Sequence, residues 1–135
     1  MRNRELAGDY VGRATARLKA LDVLFDAESW ADVVRESQEV VELALKGLLR
    51  GAGIDPPRIH DVGDVLLAER AHLPAALARD VDRLAEASRE LRRDRELAFY
   101  GTEDLTPSAF YRRRDAELAR EAARLVVGLV RPHIA

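Results

Sequence analysis

The nine residues Arg93 to Gly101, RDRELAFYG, bring together side chains that could handle a phosphate group. Arg93 supplies a planar guanidinium able to form paired hydrogen bonds with phosphate oxygens, and Asp94 adds a carboxylate beside it. Tyr100 adds a phenol that could contact a ligand. The spacing approximates R-x4-H-x-Y, an arrangement suited to cleaving RNA, but Ala98 stands where the imidazole belongs. Imidazole, with an unperturbed pKa of about 6.5, can take and return a proton near neutrality, as attack by a ribose 2′-hydroxyl requires; a methyl group can do neither. Losing acid–base help removes about 10²–10⁴-fold in rate, and a phenol of unperturbed pKa about 10 is a poor substitute base. These residues fit holding a ligand better than cutting one.

The surrounding pattern places them on a helix. At 3.6 residues per turn, positions 93, 97 and 100 fall on one side, so Arg93 and Tyr100 can face the same groove. Apolar residues at Tyr10, Ala14, Leu18, Leu21 and Phe25 predict a first helix over roughly Glu5 to Phe25, with a break at Asp26 to Ser29. Ser29, with Asp32 three residues on, reads as the N-cap of a second helix that runs to Arg50 and stops at Gly51 and Gly53. Its wide apolar stripe, which includes Val34, Val40 and Leu43, predicts contacts on more than one side and a central position. Two prolines make Ala52 to His60 the longest loop, and Asp61 can cap a short helix ending before Arg70. Pro74 suits a first helical residue, opening a fourth helix to Tyr100 about 40 Å long, stopped by Gly101. Thr106 and Pro107 then read as N-cap and N1 of a last helix ended by Pro132. No strand alternation or repeat is present. The expectation is an all-α fold: an antiparallel up-down bundle of four long helices plus one short helix, forming a single domain over residues 1–135.

Bulk properties narrow the function classes. A chain of 135 residues can bury a core without metal or disulfide staples. Its 22 basic and 24 acidic residues leave a net charge of −2, so no global basic field exists to hold a long polyanion and any nucleic-acid contact must be local. The absence of cysteine excludes disulfides and thiolate sites. No run approaches the ~20 apolar residues of a membrane span, and MRNRELAGDY has no signal-peptide core, so we expect a cytoplasmic protein with no membrane partner.

Each candidate residue also has a purely structural reading. Arg93, with Arg89, Arg92 and Arg95, could form a phosphate or nucleotide site, or a solvated face interleaved with Glu90, Asp94 and Glu96. Tyr100 could pack in a core or interface, or contact a ligand. Glu42 and Lys46, four apart in the favourable order, read as a surface ion pair. His60 and Asp61 suit loop anchoring and capping, since one His and one Asp do not complete a metal site. Arg112, Arg113 and Arg114 fit a solvated turn or an RNA groove, and Trp30 fits core or dimer packing or a base-stacking platform. No motif calls for a metal or a cofactor.

The run VVRESQEVVELALKGLLRGAGIDPPRIHDVGDVL, from Val33 to Leu66, resembles the second helix and following loop of HEPN domains. The shared pattern is Gln38 and Glu39, Glu42-x-x-x-Lys46, a leucine pair and a later His60-Asp61. The stretch ELAFYGTEDLTPSAFY, Glu96 to Tyr111, is similar to the same family. The resemblance implies an all-helical bundle that commonly forms homodimers and is often encoded beside a minimal nucleotidyltransferase. It also implies that active members are metal-independent ribonucleases using an R-x4-6-H element across a dimer cleft. In some toxin–antitoxin pairs the partner transferase adds adenylyl groups to the motif tyrosine. Carried over by residue, Arg93 matches the phosphate-binding arginine, Asp94 the accompanying polar residue and Tyr100 the tyrosine, while Ala98 departs from the pattern. The expectation is a nucleotide- or RNA-associated HEPN module with a degraded nuclease motif, binding through Arg89, Arg92 and Arg93, with Tyr100 as modification acceptor. Two other readings stand beside it. One is a divergent metal-independent ribonuclease using Arg93, Asp94 and Tyr100; the other is a purely structural interaction module.

Overall fold

The structure, a computed structural model, describes residues 2–58, 62–101 and 105–134, and the side chains of all of these except Arg2 and residues 93–99. The described residues are mostly helical and form no extended strand. Among the described residues there are six α-helices: α1 (Arg2–Asp26), α2 (Trp30–Gly51), α3 (Val62–Ala68), α4 (Val81–Tyr100), α5 (Pro107–Phe110) and α6 (Arg113–Val130).

The first two helices form an antiparallel hairpin. Ala7, Val11, Ala14 and Leu21 recur every three, four or seven residues on α1 and are buried, giving a narrow small-residue seam. Gly47 completes the approach, because a Cβ there would lie 2.7 Å from Val11 Cγ2 and 3.3 Å from the Ala7 carbonyl oxygen. Register is pinned near both ends: Arg17 Nη1 meets Glu36 Oε1 at 2.9 Å, and Arg50 Nη1 donates to Asn3 Oδ1 at 3.3 Å. Glu28 makes the turn with a left-handed φ of 59°, while Ser29 N–H donates to the Leu24 carbonyl at 3.0 Å. Ser29 occupies the expected N-cap position, but its hydroxyl donates to Asp32 Oδ2 at 2.6 Å and caps no backbone N–H.

Helix α2 packs against α1, α4 and α6, as its wide apolar stripe predicts. The face of α6 that meets it is made of Ala116, Ala119, Ala123, Val126, Val127 and Val130, all small or β-branched. At the start of α6, Arg113 lies over the rings of Phe25 and Trp30, at the end of the α1/α2 hairpin. Beyond its other end, Ile134 reaches Gly51 and Ala7, so α6 runs antiparallel to α1.

The structure departs from the expected boundaries at two places. The fourth helix begins at Val81, not Pro74, making it about 30 Å long. Residues 70–72 and 75–77 are separate 3₁₀ turns, and Pro74 itself is extended, with ψ 131°. Leu73, Leu77 and Val81 are buried at four-residue spacing, so successive turns that each deliver one side chain to the core imitate the period of a helix. The second departure is at Thr106. Its hydroxyl accepts from Ala109 N–H at 3.3 Å as an N-cap should, but the helix it opens ends at Phe110. Extended backbone at Tyr111 and Arg112 follows, Tyr111 is buried, and α6 starts afresh with Asp115 Oδ2 accepting the Arg112 N–H at 2.9 Å. The sequence pattern predicts one short helix; among the described residues α5 is a second beside α3. Gly101 ends α4 as predicted, with φ 77°, and a Cβ there would collide with the Leu105 carbonyl oxygen.

Candidate functional site

The terminal turns of α4 hold the residues singled out from the sequence. Arg89 and Tyr100 are eleven residues apart, close to three full turns, so both positions lie on one side of the helix about 16 Å apart along its axis. Tyr100 is 73% exposed, so within this chain it has no core-packing role. Arg89 and Arg92 are also exposed, and Arg89 Nη2 stands 3.6 Å from Asp64 Oδ1 of α3, a solvent-screened pair worth little in stability. The side chains of Arg93, Asp94 and Ala98 lie outside the described ones; their backbone continues the helix without a break.

No described imidazole can replace the one missing at position 98. His72 and His133 line a single cavity with Leu48 and Gly51 at the C-terminal end of α2. The C-terminal half of α4 lies at the other end of α2, where Leu91 and Val34 line a common groove. Val34 and Gly51 are separated by about 25 Å of helix. His60, and with it the His60–Asp61 pair, lies outside the described residues.

Several other candidates resolve into structural parts. Glu42 Oε1 accepts from Lys46 Nζ at 3.0 Å, and Glu42 Oε2 accepts from Gln38 Nε2 at 3.1 Å, forming a half-buried polar row along α2. The Ser37 hydroxyl and Gln38 Oε1 are buried with no hydrogen-bond partner among the described residues. Trp30 packs edge to face on Phe25 at 4.9 Å. The basic triplet opening α6 is largely occupied: Arg113 stacks over these rings and donates to Glu117 at 3.0 Å, and Arg114 approaches the same carboxylate at 3.7 Å. Among the described residues no cluster of three or more His, Cys, Asp or Glu could hold a metal ion, and no helix is long and apolar enough to cross a membrane. The apolar period predicts Tyr111, Leu118, Ala122, Leu125, Val126 and Leu129 as the inward face of the last helix, but the core takes Ala116, Ala119, Ala123, Val126, Val127 and Val130, and Leu118 lies with Glu90 and Asp115 at a groove between α4 and α6. Leu118, Ala122, Leu125 and Leu129 are out of phase with the core face of the same helix.

The family model described as HEPN domain matches residues 7–133, nearly the whole chain. The crystal structure of TT1696 from Thermus thermophilus superposes with a TM-score of 0.72 over 94% of this chain and 97% of that one, at 24% sequence identity. That likeness is one of fold. No curated protein matches the sequence.

Proposed function

Because this chain belongs to the HEPN domain family, we propose that it is a nucleotide- or RNA-associated module and not a nuclease, acting as partner of a separately encoded minimal nucleotidyltransferase in a toxin–antitoxin-like pair. On this proposal residues 1–135 are one cytoplasmic domain, the four long helices form an antiparallel up-down bundle, and the protein is a homodimer. The observation that carries it is the exposed phenol of Tyr100, three turns beyond Arg89 on one side of α4, combined with alanine at position 98.

The chemistry is group transfer onto a tyrosine. The Tyr100 oxygen attacks the α-phosphorus of ATP held by the transferase, the bond to the β,γ-phosphates breaks, and pyrophosphate leaves. The phenolic proton passes to a base on the transferase or to solvent, and the product is a phosphodiester-linked AMP. Arg89, Arg92 and Arg93 supply cations for the phosphates, and the methyl of Ala98 offers no proton to drive strand cleavage.

Coexpression with a transferase encoded beside this chain, followed by intact-mass and peptide mass spectrometry, tests the proposal. The expected result is adenylyl addition at Tyr100, abolished in Tyr100→Phe. Unmodified Tyr100 in the presence of an active transferase and ATP ends the acceptor assignment.

A further inference from the structure

Helices α4 and α6 do not close on one another. Between them lies a groove with a cavity of about 240 Å³, walled by Val34, Leu91 and Ala119. Its charged lining is Glu90 from α4 and Asp115 from α6; among the described residues no lysine or arginine lines it. Glu90 has no ion-pair partner among the described residues, and Asp115 is engaged there by the Arg112 N–H through one of its two oxygens.

From the mouth of this cavity an apolar stripe continues along α6. Leu118, Ala122, Leu125 and Leu129 recur at the three- and four-residue spacing of one helical side. Leu118 is 49% and Leu125 36% exposed, and Phe110 at the acidic end is 43% exposed. The core of the chain already uses the other side of α6, through Ala116, Ala119, Ala123, Val126, Val127 and Val130. Helix α6 therefore has a second apolar side, on which Leu118 and Leu125 are left exposed while Ala122 and Leu129 pack in part against the core. The second extends about 16 Å, or three turns.

We propose that this groove docks a cationic amphipathic helix of another protein, with apolar residues against Leu118, Ala122, Leu125 and Leu129 and a lysine or arginine entering the cavity between Glu90 and Asp115. Charge complementarity selects the occupant: two carboxylates in a concave, largely apolar wall attract a cation and repel phosphate, so a nucleic acid is disfavoured here. The surface is distinct from that of Arg89, which leans toward Asp64 of α3 on the other flank of α4. A second copy of this chain fits less well. Paired antiparallel through the same stripe, it would bring the Leu129 end to the carboxylates, and the nearest cation there, Arg131, lines a cavity with Gly8 and Gly12 on the α1 side. The proposal stands independently of the nucleotide reading.

The test uses two synthetic helical peptides of about four turns, identical in their leucine spacing, one with arginine and one with glutamate at the ends, titrated into the full chain by fluorescence anisotropy. We expect saturable binding of the arginine peptide and at least about tenfold weaker binding of the glutamate peptide. Leu118→Asp should weaken the arginine peptide by about tenfold or more, and Glu90→Lys should erase the preference between the two. Because Leu118 and Glu90 are exposed, both variants should retain the parent circular dichroism and unfolding midpoint. No saturable binding, equal binding of both peptides, or parent-like binding by Leu118→Asp overturns the proposal. So does a molecular mass that falls by half in Leu118→Asp, which assigns the face to a second copy.

Discussion

The guanidinium of Arg120 lies 3.7 Å from the centre of the Phe25 ring. Arg120 and Arg124 also share one carboxylate oxygen of Asp22, at 3.2 and 2.7 Å, so the arginines of α6 fasten it to α1. Arg120→Ala should cost about 1–2 kcal/mol, chiefly from the lost cation–ring contact and its packing. Asp22→Asn should cost less than about 1 kcal/mol, because that carboxylate is solvent-screened. Urea unfolding of the two variants separates these terms, and equal losses would show that the ion pair dominates.

The α1/α2 seam gives a pair of opposite outcomes for one substitution. Gly47→Ala inserts a Cβ 2.7 Å from Val11 Cγ2, and the rigid backbone of Ala7 blocks retreat, so a loss of about 1–3 kcal/mol is expected. Gly12→Ala, on the exposed side of α1, has nothing within 4 Å of the new methyl and should gain about 0.5–1 kcal/mol from helix propensity. Midpoints shifting in the same direction would disprove the close approach.

Glu28 turns the chain with a positive φ of 59°. Relief of the left-handed penalty, about 1–2 kcal/mol, exceeds the added unfolded-state entropy of glycine, about 0.4–1 kcal/mol. Glu28→Gly should therefore raise stability by roughly 0.5 kcal/mol, and a lower denaturant midpoint contradicts it.

If nucleotide strands bind along α4, the interaction is local. Arg89, Arg92 and Arg93 are three cations, so the log–log salt dependence for single-stranded RNA should be no steeper than about −2. Arg89→Ala should flatten it by about 0.7. A much steeper slope in filter binding would place the contact elsewhere. Purified protein should leave tRNA intact; cleavage that disappears in Arg93→Ala would restore the ribonuclease reading.

The sequence by itself determined the helical class, the family and most helix ends. Alternating clusters of apolar residues with period 3.6 can be buried in few ways, and Gly101 and the Thr106–Pro107 pair mark termini through backbone chemistry that acts locally. Residues 70–80 misled it, because turns that bury Leu73, Leu77 and Val81 keep a helical period without helical hydrogen bonding. Tertiary structure alone decided which apolar face is used. Leu118 and Ala119 are adjacent and both apolar, yet Ala119 is buried in the core while Leu118 is left exposed at a groove. It also decided that Arg113 stacks on Phe25 and Trp30, and that His72 and His133 meet far from the C-terminal half of α4. Such relationships join residues distant in the chain, and pairwise proximity depends on how helices pack, which no local pattern encodes.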